Sequence, residues 1–124
     1  MALRILVVDD DDAIRQVLER YLKRRGYIVD TAADGEEALA AVRESDPDIM
    51  LLDIYLPKIS GLDVLSAIRD DDLHTRTIAL SGFPDEQMVR DSRDLGAVAF
   101  VPKPFDFPEL TAQIDSQLSS PLSA

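Results

Sequence analysis

The sequence predicts an α/β domain in which a five-stranded parallel sheet is covered by helices on both faces, and three observations carry that expectation. Five short apolar runs alternate with five segments of helical period along 124 residues. The first and third runs are almost wholly apolar, as strands buried on both faces are. Four runs end in polar residues able to do chemistry: Asp9 and Asp10, then Asp53, then Ser81, then Lys103.

Each element can be justified in turn. Leu3 to Val8 is a β-branched run and reads as the first strand. Ile14, Val17, Leu18, Tyr21 and Leu22 recur at helical spacing within Asp11 to Arg25, and Gly26 is placed to close that helix in a left-handed conformation. Tyr27 to Ala32, interrupted by Asp30 and Thr31, suits an edge strand. Asp34-Gly35-Glu36-Glu37 has the form of a capping box opening a helix to about Glu44. Asp48 to Leu52 is the third strand, Pro57 to Gly61 a loop, and Gly61 to about Asp70 a helix with Leu62, Leu65 and Ile68 on one face. Arg76 to Leu80 is the fourth strand and Pro84 to Leu95 a weaker helix ending at Gly96. Ala97 to Val101 is the fifth strand, followed by Pro102, and Asp106 to Leu118 is a helix with Leu110, Ile114 and Leu118 inward. Right-handed crossovers and the two edge-like strands give the order 2-1-3-4-5, the flavodoxin-like doubly wound (βα)5 arrangement.

Composition bounds the function. With 13 Lys+Arg against 24 Asp+Glu the formal charge is -11, which disfavours direct nucleic-acid binding and favours a cation or a basic protein face as partner. The absence of Cys excludes disulfides, thiolate catalysis and Cys-based zinc sites, and suits the cytoplasm. No run has the length of a membrane span or the form of a signal peptide. Residues 1–120 are expected to form one domain, with 121–124 a tail or the start of a linker.

In a sheet of this order the site lies beyond the strands' carboxyl ends, where order reverses between the first and third strands. Asp9, Asp10 and Asp53 follow those two strands. Carboxylates ~4 Å apart repel one another by about 4 kcal/mol at an effective dielectric of roughly 20, so the cluster calls for a cation. Mg2+, or Mn2+ in its place, is a hard ion suited to oxygen ligands. Asp11 and Asp12 are accounted for by the helix start, where carboxylates cap free N–H groups. Beside a divalent cation Asp53 is suited to attack phosphorus and form an acyl phosphate. Ser81 is placed to donate its hydroxyl to a phosphoryl oxygen. Lys103 can bring an ammonium to another, pairing with Asp53 beforehand.

Five motifs span nearly the whole chain: ILVVDDD from Ile5, ADGEEAL from Ala33, PDIMLLDIYLPKISG from Pro47, IALSG from Ile78 and LGAVAFVPKPF from Leu95. With them the chain resembles the receiver domain of bacterial two-component response regulators. The resemblance implies a phosphorylation-activated switch in which Asp53 receives a phosphoryl group from a sensor histidine kinase or a histidine phosphotransfer protein. The changed surface would be the fourth helix, fifth strand and fifth helix, read by a downstream effector or by a phosphorylation-dependent homodimer. The resemblance further implies Asp10 as a direct Mg2+ ligand, Asp9 as a ligand through water and Tyr55 as a ligand through its main-chain carbonyl. Ser81 and Phe100 become the switch residues, and the Lys103–Pro104 peptide is expected to be cis. On this reading the chain is not an enzyme with a separate substrate; it catalyses only its own phosphorylation and dephosphorylation.

Some positions depart from the commonest family pattern. Leu56 stands before Pro57 in place of methionine, and Ser81 replaces threonine, losing the stiffening methyl. Tyr55 and Phe83 are bulky aromatics expected to shield the acyl phosphate from water. Pro102 removes a backbone donor just before Lys103. His74, the single histidine, is expected in a solvated loop at the opposite end of the sheet. Two other classes stay open: a Mg2+-dependent aspartyl-phosphate hydrolase, for which Asp9 and Asp11 formally supply a D-x-D pattern, and a pseudo-receiver that binds partners without being phosphorylated.

Overall fold

The computed structural model describes residues 3–82 and 85–119. Among these, β1 (Arg4–Val8), β2 (Ile28–Ala32), β3 (Ile49–Asp53), β4 (Arg76–Ser81) and β5 (Ala99–Pro102) pair in parallel in the order β2-β1-β3-β4-β5. The helices are α1 (Asp12–Arg24), α2 (Gly35–Ser45), α3 (Gly61–Asp70), α4 (Glu86–Asp94) and α5 (Phe107–Ser119). The expected flavodoxin-like order is therefore the observed one, with β2 and β5 on the edges.

Side-chain alternation along the strands builds two apolar layers. Leu6 and Val8 of β1 and Met50 and Leu52 of β3 join Ala38, Val42, Val64, Leu65, Ile68 and Met88 beneath α2, α3 and α4. Ile5, Val7, Ile49 and Leu51, one residue out of phase, join Leu18, Leu22, Leu110 and Ile114 beneath α1 and α5. That is why the first and third runs read as continuously apolar: each residue faces one layer or the other.

Local chemistry sets the helix ends. Asp11 accepts from the Ala13 and Ile14 N–H groups, Asp34 from Glu37, Asp85 from Met88 and Asp106 from Glu109. The reciprocal capping box, with both bonds, is found at α3 between Ser60 and Asp63. Gly26 and Gly96 adopt φ of +94° and +107° where α1 and α4 end.

Three expectations are corrected. Val17, placed inward by helical spacing, is 48% exposed. The fourth helix begins at Glu86, because Asp85 caps it; Pro84 and Phe83 lie outside the described residues, as do 120–124. The fifth strand starts at Ala99, since the chain from Gly96 must first cross from α4 to the sheet edge, where the Val98 N–H donates to Thr77 O at 2.9 Å.

At the outer layer the Tyr21 ring stacks on Phe107 with centroids 4.2 Å apart, and the Tyr27 hydroxyl donates to Asp115 at 3.3 Å. The Arg76 guanidinium, at the first residue of β4, donates to the Gln117 carbonyl in the last turn of α5. No helix among the described residues is long and apolar enough to cross a membrane.

Candidate phosphorylation site

β1 and β3 are neighbours in register, with Val8 opposite Leu52, so the residues that follow leave the sheet side by side. One carboxylate oxygen from each of Asp9, Asp10 and Asp53 lies within 4.8 Å of the others. Asp9 is 1% exposed and Asp53 6%, while Asp10 opens to solvent. Asp53 is the last residue of β3, and α3 starts hard against the chain leaving it. The Gly61 N–H donates to Ile54 O at 2.8 Å, and a Cβ on Gly61 would lie 2.6 Å from Ile54 Cα and 2.7 Å from the Asp53 carbonyl. Only glycine permits that approach.

Lys103 reaches into the cluster from the other edge of the sheet. Its Nζ donates to Asp9 Oδ2 at 2.6 Å and to Asp53 Oδ2 at 3.2 Å. The second oxygens accept main-chain donors: Asp9 Oδ1 from the Asp11 N–H at 2.9 Å, Asp53 Oδ1 from the Tyr55 N–H at 3.0 Å. Burial pushes the Asp53 carboxyl above the usual carboxylate range; the Lys103 ammonium pulls it down, and the Asp9 charge adds to the rise. For Lys103, burial alone would lower the affinity for its proton. The hydrogen bond to Asp9 and the charges of Asp53 and Asp9 outweigh burial, so its value rises. The two directions agree with the distances, because the ammonium serves Asp9 first and leaves Asp53 the less compensated anion.

Ser81 ends β4 and is fully buried. Its carbonyl accepts the Lys103 N–H at 2.7 Å, and Pro102, opposite Ser81 in the register, carries no N–H to compete for it. The Lys103–Pro104 peptide is cis, as expected. Tyr55 is half exposed beside Asp53, and Phe100 lies opposite Ala79, partly buried against the layer beneath α4. His74 is exposed in the loop before β4, away from the cluster. The expected shielding partner Phe83 falls outside the described residues.

Two features escaped the sequence. The Asp9–Lys103 pair is shorter than the expected Asp53–Lys103 pair, a matter of side-chain reach that strand order does not fix. Arg15 donates Nη1 to the Asp9 carbonyl at 2.8 Å and pairs through Nη2 with Asp12. A signal for it existed: a cation in the first turn of a helix opposes the macrodipole and needs a local reason.

The comparisons with known proteins decide the family. Residues 5–115 match the model of the response regulator receiver domain. The chain belongs to the response regulator receiver domains. This receiver domain is 39% identical over 120 residues to the response regulator MprA of Mycobacterium ulcerans, covering 95% of this chain and 51% of that protein. It thus spans about half the length of the curated relatives it matches. A CheY-like receiver domain protein from Methanospirillum hungatei JF-1 is 30% identical with a TM-score of 0.91, covering 95% of this chain and 94% of that one. A chain of the CheX–CheY–BeF3–Mg2+ complex from Borrelia burgdorferi is 35% identical with a TM-score of 0.89, covering 95% and 90%. The receiver domain is the phosphorylation-responsive switch of response regulators.

The donor set also suits a hard divalent cation: three carboxylates, two of them buried, converge on one point with more negative charge than a single ammonium offsets.

Proposed function

We propose that this receiver domain takes a phosphoryl group onto the Asp53 carboxylate from the phosphohistidine of a sensor kinase or phosphotransfer protein. A carboxylate oxygen of Asp53 forms the new O–P bond, the N–P bond of the donor breaks, and the departing imidazole takes up a proton. The observation that carries this reading is the triangle of Asp9, Asp53 and Lys103, a buried nucleophile that shares one ammonium with a second carboxylate. Asp9, Asp10 and the Tyr55 carbonyl would hold Mg2+, or Mn2+, with Asp53 itself as a further ligand. The ion supplies charge neutralisation at the phosphoryl oxygens. Lys103 then follows the new phosphoryl oxygen, Ser81 donates its hydroxyl to another, and Phe100 repacks, changing the face of α4, β5 and α5. The Borrelia burgdorferi complex contains BeF3 and Mg2+ together with CheY, which supports a role for an anion and a divalent cation in this domain too.

A groove of about 510 Å3 opens beside Lys103 and Pro104, lined by Ala13, Ile14, Val17 and Phe105. It explains the exposed Val17 and supports the approach of the phosphodonor over α1. A downstream effector, or a phosphorylation-dependent homodimer, would read the changed face. The domain has no separate substrate on this reading and works in the cytoplasm, which suits a chain without Cys. The hydrolase alternative loses ground because Asp11, the second aspartate of its D-x-D pattern, caps α1 with its carboxylate.

Incubation with Mg2+ and acetyl phosphate, followed by intact mass, tests the reading. A single phosphate adduct that disappears in Asp53→Asn is the expected result. Rapid turnover without an adduct would point to the hydrolase, and no reaction at all to a pseudo-receiver.

A further inference from the structure

Among the described residues, Arg15 is the one cation near the site that neither the switch nor the fold accounts for. It sits in the first turn of α1, where the helix dipole disfavours it, yet its side chain is only 18% exposed. The guanidinium turns back over the end of β1. Asp9 lies one residue past that strand; its N–H still donates to Ala32 O at 3.2 Å, but its carbonyl is taken by Arg15 Nη1 at 2.8 Å. Nη2 is paired with Asp12, so one rigid fork ties the strand's exit to the helix's entry. The turn between them carries two of the three clustered carboxylates. Asp9 has direct bonds of its own, from Lys103 and from the Asp11 N–H. Among the described residues no group hydrogen-bonds the Asp10 carboxylate, so the direction of that carboxylate is set by the main chain of the turn.

We propose that Arg15 is a positioning residue for the cation site: by pinning the Asp9 carbonyl it presets the turn that presents Asp9 and Asp10 to the metal. This rests on the Mg2+ reading above. The pairing with Asp12 matters, because it makes the guanidinium close to neutral in its surroundings and leaves geometry as its main effect. A bare cation beside the cluster would repel Mg2+, so removing it would tighten binding. Removing a positioning fork loosens it. The two roles predict opposite signs.

The test is Mg2+ binding by calorimetry, with an NMR shift titration of the Asp9 to Asp11 amides, at fixed ionic strength and well below the melting temperature. Arg15→Met should raise the Mg2+ Kd about tenfold, and the Mg2+ concentration for half-maximal phosphorylation by acetyl phosphate should rise by the same factor. Arg15→Lys, which keeps the charge and one donor but not the fork, should raise Kd about threefold. Tighter or unchanged binding in Arg15→Met would overturn the proposal. Should that variant fail to fold, unchanged binding in Arg15→Lys would do so. If the unaltered domain shows neither heat nor shifts with Mg2+, the cation reading itself fails, an outcome distinct from a wild-type site that binds and an Arg15→Met site that binds as well.

Discussion

Lys103 brings its ammonium into the acidic cluster, bonding Asp9 and Asp53 at once. Replacing it with Met leaves two buried carboxylates 4.8 Å or less apart at their nearest ligand oxygens with no ammonium between them. Removing one partner of a buried ion pair costs about 3–5 kcal/mol, and the 17% exposure of Lys103 puts this case toward the lower end. Urea denaturation in EDTA at pH 7 should therefore show Lys103→Met destabilised by roughly 3 kcal/mol, with part of the loss recovered in Mg2+. Equal stability in EDTA would show that the pair contributes nothing. The convergence of Asp9, Asp10, Asp53, Ser81 and Lys103 was legible in the sequence because a strand's last residue has only one edge of the sheet to go to. The preference of Lys103 for Asp9 was not, since four methylenes can reach either carboxylate.

The helices show the same division between period and context. The 3.6-residue repeat located α1, but it could not tell a face buried under β-strands from one that stops at an open groove, and Val17 falls on the wrong side of that distinction. The seam between α1, β2 and α5 holds a titratable reporter in Tyr27. Burial raises its phenol above the ordinary 10.0, and the charge and hydrogen bond of Asp115 add to the rise. A raised value in the folded state means that the neutral phenol stabilises the fold below pH 10 and that this contribution is lost as pH climbs through the shifted value. Absorbance titration against Tyr27→Phe should place Tyr27 above 10.0 in the wild type and lower, though not fully restored, in Asp115→Asn. An Asp115→Asn midpoint equal to the wild type would remove Asp115 from the account.

Across the whole molecule, with a charge of -11 and a pocket proposed to take Mg2+, stability is expected to follow the cation supply. A ligand bound only by the folded state adds RT ln(1 + [L]/Kd), about 2.7 kcal/mol at a hundredfold excess over Kd. The melting temperature should rise with Mg2+ beyond what an equal ionic strength of NaCl gives, fall back on chelation, and lose its Mg2+ response in Asp10→Asn. The sheet order and its two apolar layers were readable from the runs alone, because four right-handed crossovers between five strands leave few arrangements. What no run could disclose was the bond from Arg76 to the Gln117 carbonyl. β4 begins at Arg76 and ends at Ser81, six residues and about 20 Å of nearly inextensible backbone. The foot of α5 is thus moored to the near end of the same strut whose far end touches the phosphorylation pocket. The last turn of α5 is thereby surveyed against Ser81 through a single strand.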